Sequence, residues 1–263
     1  MKIIFSDYDG TLCRSDIETV YEVSQHNVDM IKKWRAAGNL FGLATGRDPH
    51  SFNQVWTVER DILDFFILCN GAQIYKNFWE PMLYRESDGS LVPELCKTVF
   101  ECGGDDIYIA WGRDGRFVIS PEGKPTRMSK GLGLEVLSFA DAPQPEVLHY
   151  MGTYFPTDEA CVKFRNLIAE RFAGKFEAFP HGSWSDVSGF GINKATGIAA
   201  YLEHTGLKPE AIITVGDNYN DLPMLAAYDG YAMESAPAEV IAAAKGRTIK
   251  SVGELIEELL KNG

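Results

Sequence analysis

The chain has 263 residues, 45% of them hydrophobic and 24% charged, and its 25 basic against 37 acidic residues give a formal charge of −12. A chain of this length buries a core without disulfides or metal staples, and suits one large α/β domain or a core with a second module inserted. The acidic balance argues against a nucleic-acid partner, which needs a basic footprint to meet phosphates. It leaves open a small phosphorylated molecule, whose pocket needs only a few local cations and a metal.

Cys13, Cys69, Cys96, Cys102 and Cys161 are odd in number and contain no Cys-x-x-Cys pair, so neither a disulfide framework nor a zinc site is expected. Reduced intracellular thiols are the simplest reading. The start of the chain is too short in apolar residues for a signal peptide, and no stretch approaches the ~18 apolar residues of a membrane span. A cytoplasmic location without a membrane partner is therefore expected.

Strand and helix signals alternate in both terminal thirds. Residues 2–6 form a β-rich apolar run ending in a polar cluster. A helical pattern follows, with Ser24 as N-cap, Val28, Ile31 and Trp34 spaced by three, and Gly38 closing it after a basic last turn. Residues 40–44 read as a buried strand, Asp48-Pro49 as an N-cap and N1 pair opening the next helix, and residues 65–69 as a third strand. Late in the chain, helices are expected over residues 196–204, 222–227, 238–244 and 252–260, and strands over 211–215 and 231–233. Such alternation implies a doubly wound, mostly parallel, Rossmann-like α/β sheet covered on both faces.

The middle differs. Two-residue alternation over residues 106–111, 116–120 and 149–155 predicts strands, the first two joined by a Gly112-Arg113-Asp114-Gly115 hairpin loop. Helices are expected over residues 91–100 and 157–172, the second capped by Thr157. We expect a core of residues 1–79 and 185–263, with residues 80–184 as an inserted α+β module.

Three polar clusters follow three expected parallel strands, at the sheet edge where open α/β sheets bind ligands. In Asp7-Tyr8-Asp9-Gly10-Thr11, two carboxylates at spacing two leave the strand on one side. They are costly together unless a cation such as magnesium lies between them or one is protonated. An Asp carboxylate can attack phosphorus and a second can move the proton, although Asp-Gly is also a common turn. Ala44-Thr45-Gly46-Arg47 offers a hydroxyl and amides for a phosphate cradle, or a plain strand-to-helix turn. Gly216-Asp217-Asn218-Tyr219-Asn220-Asp221 adds two carboxylates and two amides. Asp217 could complete a metal site, with Asp221 in support and Asn220 donating to a phosphate oxygen. Lys194 could neutralise phosphate or steady Asp7, or be ordinary surface, and Asn70-Gly71-Ala72 is most simply a turn.

Together these motifs resemble the haloacid dehalogenase-like (HAD) superfamily of phosphatases, most of all its Cof-type branch with a subfamily IIB cap. The matches are Asp7-Tyr8-Asp9-Gly10-Thr11-Leu12, Ala44-Thr45-Gly46-Arg47, Lys194 and the Gly216 to Asp221 segment, with Asn70-Gly71-Ala72 before the cap. The resemblance implies Asp7 as nucleophile and metal ligand, and Asp9 as acid/base, ligating Mg2+ through its backbone carbonyl. It implies Thr45, Gly46, Lys194 and Asn220 around the phosphoryl group, Asp217 on the metal and Asp221 in support. It also implies a cap that closes over the core and selects a small phosphorylated substrate, sugar phosphates first; Trp111, Arg113, Arg116, Arg127 and Lys130 are candidate contacts. The segment before Lys194 lacks the family's usual proline, and Tyr8 replaces a more common leucine, its side chain expected to point away from the site. A sugar phosphomutase, or a non-catalytic metabolite-binding protein on the same fold, are the competing readings.

Overall fold

The computed structural model describes residues 1–13, 22–77, 80–126, 129–130 and 133–261. The chain divides into two compact units, one of residues 1–47, 52–83 and 193–263, the other of residues 48–51 and 84–192.

The chain begins with β1 (Lys2–Ser6), α1 (Gln25–Ala36), β2 (Leu40–Ala44), α2 (Pro49–Val55), β3 (Phe65–Leu68), β4 (Gln73–Lys76) and β5 (Glu80–Tyr84), which lie in the first unit except for residues 49–51 and 84. Local chemistry sets the helix starts as expected. Ser24 Oγ accepts from Asn27 N at 3.2 Å, and Asp48 Oδ1 accepts from His50 N at 2.9 Å, each meeting a donor that the first helical turn leaves orphaned.

The second unit supplies β6 (Ser87–Asp88), α3 (Val92–Glu101), β7 (Asp106–Trp111), β8 (Gly115–Ser120), β9 (Val136–Ser138), β10 (Val147–Leu148), β11 (Tyr150–Tyr154), α4 (Asp158–Arg171), β12 (Phe176–His181) and β13 (Trp184–Gly189). Its main sheet runs β12-β13-β11-β7-β8-β9, antiparallel except for β8 and β9. One face of that sheet, carrying Ile107, Ile109, Ile119, Met151 and Val187, packs with Leu95, Cys96 and Val99 of α3 and Cys161, Phe164 and Ile168 of α4. The hairpin between β7 and β8 forms as read, closed by Trp111 opposite Gly115.

The chain then completes the first unit with α5 (Lys194–Thr205), β14 (Ala211–Gly216), α6 (Leu222–Ala227), β15 (Asp229–Met233), α7 (Ala238–Ala243), β16 (Thr248–Ile249) and α8 (Val252–Lys261). The eight strands of its sheet run β16-β15-β14-β1-β2-β3-β4-β5. From β16 through β3 every pairing is parallel, and β4 returns antiparallel to β3. Ile3 and Phe5 of β1 share a buried cluster with Phe65, Ile67, Ile198, Tyr201 and Met224, so α5 and α6 cover that face. On α1, Asn27 Oδ1 accepts from Gly253 N at 2.8 Å and ties it to α8. The near-continuous apolar strands follow from burial on both faces.

The expected join at residues 184 and 185 falls at the start of β13. Ser185 and Asp186 pair with Thr153 and Gly152 on one side and with Pro180 and Phe179 on the other. Residues 185–192 therefore belong to the second unit rather than to the core.

Candidate active site

Side by side in the sheet, β14 and β1 are in register, with Ser6 opposite Val215 and Asp7 N donating to Val215 O at 2.8 Å. The Asp7 and Asp217 segments thus leave the sheet at one edge, and β2, paired on the other side of β1, delivers Thr45 to the same edge. Lys194 arrives as the first residue of α5, whose start is fixed by a reciprocal cap between Asn193 and Thr196.

Lys194 is wholly buried, and its Nζ lies 2.7 Å from Asp7 Oδ1 and 2.5 Å from Asp221 Oδ1. The surface reading of this lysine is thereby removed. Asp221 is fully used by the protein, since its Oδ2 accepts from Asp217 N at 2.9 Å and Asn218 N at 3.0 Å. Asp217 Oδ1 accepts from Thr11 Oγ1 at 2.5 Å. One oxygen from each of Asp7, Asp217 and Asp221 can be chosen so that all lie within 4.8 Å of one another.

That much negative charge around one ammonium perturbs Asp7, Asp217 and Lys194. Burial and then Asp221 hold the Asp7 carboxyl well above the usual carboxylate range, with Asp217 and Asp9 adding to them and Lys194 opposing. Asp217 is pushed up to about 6 by burial and by Asp221. Burial alone would pull the Lys194 ammonium down, but Asp221 and Asp7 more than reverse this, so it stays charged. A single cationic side chain does not offset two buried carboxylates and a half-buried third. A hard divalent cation with oxygen ligands fits this excess, and Asp7 and Asp217 are the carboxylates with capacity left to hold it. Gly10 makes the close approach possible: its φ is +75°, and a Cβ there would stand 2.4 Å from Asp217 Oδ2.

Asp9 stands apart from this group. Its side chain is 42% exposed and is gripped by Arg47, Nε to Oδ2 and Nη2 to Oδ1, both at 2.7 Å. The two-pronged pairing of guanidinium and carboxylate fixes the plane of the carboxyl group. In the sequence Arg47 reads only as part of the cradle motif; its pairing with Asp9, 38 residues away, leaves no local signal. Thr45 is buried, and its Oγ1 accepts from Arg47 N at 3.2 Å, leaving its own proton to donate. Gly46 lies between them, partly buried. Asn220 Nδ2 donates to Asn70 Oδ1 at 3.3 Å. Tyr8 does turn away from the site, packing edge-on against Phe52 and tilted against Trp56 and donating from its hydroxyl to Val55 O at 3.0 Å.

The side chains expected to read the substrate lie in the second unit. Trp111 packs edge-on against Phe117 in that unit's apolar core. Arg113 is exposed 4.0 Å from Asp114 Oδ1, and Arg116 Nη1 donates to Asp114 O at 3.1 Å. Lys130 is exposed, and Arg127 lies outside the described residues.

A family model described as haloacid dehalogenase-like hydrolase matches residues 4–253. A Streptococcus pyogenes protein, provisionally named a bifunctional phosphatase/peptidyl-prolyl cis-trans isomerase, is 26% identical over 226 residues, 85% of this chain and 45% of the relative. The chain thus spans about half the length of that relative. A Haemophilus influenzae protein with a provisional name as a phosphatase is 23% identical over 259 residues, 92% of this chain and 90% of the other. The fold is shared with a solved HAD subclass IIB sugar phosphatase, 22% identical with a TM-score of 0.79 over 98% of this chain and 99% of that one. It is shared too with a HAD/COF-like hydrolase from Plasmodium vivax, 18% identical with a TM-score of 0.83 over 99% and 96% of the two chains. The family match covers nearly the whole sequence and takes in every motif at the sheet edge, so the chain belongs to the haloacid dehalogenase-like hydrolase family.

Proposed function

We propose that the protein hydrolyses phosphate monoesters of small metabolites through a phosphorylated Asp7, with Mg2+ as cofactor. The observation that carries this reading is the buried Lys194 held between Asp7 and Asp221 beside Asp217. An ammonium and a carboxylate nucleophile in contact, both buried, are what a charge-rich phosphoryl transition state requires.

In this mechanism an Asp7 carboxylate oxygen attacks phosphorus and displaces the alcohol. Asp9 gives its proton to the leaving oxygen and then takes one from the water that cleaves the aspartyl-phosphate. Lys194, Thr45, the Gly46 amide and Asn220 hold the phosphoryl oxygens. Mg2+, held by Asp7, Asp217 and the Asp9 carbonyl, would supply charge neutralisation at phosphorus. Asp221 orients Lys194 and the Asp217 loop. Arg47 holds Asp9 on both oxygens, so Asp9 acts as an acid only after one arm of the fork lets go.

We assign choice of substrate to the second unit, with sugar phosphates as the first class to test; the subclass IIB sugar phosphatase of the same fold supports that order. Among the described residues no helix is long and apolar enough to cross a membrane. We place the protein in the cytoplasm, where such substrates are found. The deciding experiment is release of inorganic phosphate from an aryl phosphate with Mg2+ and with chelator, for the wild type and Asp7→Asn. Turnover that ignores the metal, or that survives Asp7→Asn, would sink the mechanism.

A further inference from the structure

The turn Cys69–Gly71 does more than end β3. Cys69 and Asn70 both stand in the left-handed region, each with φ of 52°, although neither is a glycine. Such backbone is strained for a residue that carries a Cβ and persists only where the surroundings hold it. Those surroundings are the loops assigned to the phosphoryl group. Cys69 N donates to Arg47 O and Asn70 N to Thr45 O, each at 3.0 Å. On the other side, a Cβ on Gly71 would stand 2.5 Å from Asn193 O, the residue before Lys194. Asn70 itself is 2% exposed, and its Oδ1 accepts from Asn220 Nδ2 at 3.3 Å. A segment that reads as a plain turn therefore touches the Thr45, Lys194 and Asn220 loops together.

We propose that Asn70 is a positioning residue for phosphoryl transfer, acting through Asn220; the inference rests on the phosphatase reading above. A terminal amide rotates over a broad torsional well and presents either its oxygen or its nitrogen. An acceptor at Asn70 Oδ1 selects the nitrogen, and leaves the second N–H of Asn220 Nδ2 for a phosphoryl oxygen. Turned the other way, Asn220 would aim lone pairs at that oxygen and repel it. The left-handed backbone places the acceptor, and asparagine is the polar residue that tolerates this conformation.

The test is a two-residue cycle on the full chain, reading aryl phosphate turnover with Mg2+ and thermal unfolding of each variant. Asn70→Gly keeps the left-handed backbone accessible and removes only the side chain. It is expected to melt within a few degrees of the wild type, and to lose about 10- to 100-fold in kcat/KM, the range for a misplaced contact group. Asn220→Ala should lose at least as much, and the double variant no more than Asn220→Ala alone, because the proposed route from Asn70 to the substrate runs through Asn220. Losses that multiply in the double variant overturn the proposal, as does an Asn70→Gly value within about twofold of wild type, the usual error of additivity. Should Asn70→Gly not fold, Asn70→Ser, whose hydroxyl is too short to reach Asn220, is read through the same cycle. A wild type without metal-dependent turnover would instead sink the phosphatase reading, and this inference with it.

Discussion

Replacing Lys194 by methionine tests the electrostatic account of the site without relying on any substrate. Methionine keeps the length of the apolar stem and removes the ammonium that sits 2.7 Å from Asp7 and 2.5 Å from Asp221. Both carboxylates are buried, so neither finds water as a substitute partner. Breaking a buried ion pair from one side typically costs about 3–5 kcal/mol, because the remaining charge stays buried and unpaired. A typical protein has only about 5–15 kcal/mol in total, so the loss should be plain in urea unfolding with chelator present. Adding Asp221→Asn to Lys194→Met removes one of the stranded charges. The double variant should then be more stable than Lys194→Met, with a coupling of about 0.5–3 kcal/mol. Magnesium should stabilise Lys194→Met more than it does wild type, since a bound cation replaces part of the missing charge. A Lys194→Met loss below about 1 kcal/mol, the range of an exposed ion pair, would refute the reasoning.

Three further outcomes follow from named contacts. Arg47→Met should lower kcat by up to about 100-fold through misplacement of Asp9, and Arg47→Lys should not restore it, because an ammonium lacks the fork that meets both oxygens. Equal rates for wild type and Arg47→Met would show that the pairing does not serve the reaction. Gly10→Ala places a Cβ at φ +75° within 2.4 Å of Asp217 Oδ2. It should cost about 1–2 kcal/mol of backbone strain and weaken magnesium activation, and an unchanged activation constant would count against Asp217 as a ligand. His149 is buried, its Nδ1 accepts from Gly112 N at 2.7 Å, and burial pulls its pKa down to about 4. The unfolded chain therefore takes up this proton first as pH falls from about 6.5 to 4, so stability is full above the window and lost through it. The loss is about 3 kcal/mol, and in urea melts across this range His149→Gln should flatten it; parallel curves would exclude His149 as the cause.

The core was legible because its signals are local and agree with one another. Short apolar strands alternate with helices that announce their starts, and Ser24 caps where it is expected to. In the second unit that logic fails for β6, β9, β10, β12 and β13, and β13 shows why. The segment Trp184–Gly189 is polar at Ser185, Asp186 and Ser188, so hydrophobicity does not mark it as a strand. Yet Asp186 is buried, and its Oδ1 accepts from Tyr150 Oη and Trp184 Nε1, both at 2.6 Å. A buried carboxylate with two donors is tolerated where an unpaired one is not. Because the donors come partly from β11, 36 residues away in sequence, local evidence for the strand is lacking, and the expected boundary leaves Trp184 in the insert and puts residues 185–189 in the core.

The same distinction separates what the motifs revealed of the site from what they did not. Carboxylates just past parallel strands announce where chemistry collects, since strand direction brings all such ends to one edge. Pairing within that edge depends on which charge reaches which, and sequence spacing is silent about reach. Asp7 and Asp9 looked like one pair at spacing two. In the fold, Asp7 belongs with Lys194 and Asp9 belongs with Arg47. The separation has a chemical consequence. In the proposed mechanism the nucleophile needs the Lys194 ammonium to hold its charge against burial, whereas the proton donor must trade its proton with solvent and a leaving group. Burial of Asp7 and 42% exposure of the Asp9 side chain put the two carboxylates in different environments while leaving them two residues apart. Gly10 and the left-handed turn at Asn70 sustain that arrangement, and both are properties of backbone conformation that residue type alone only permits.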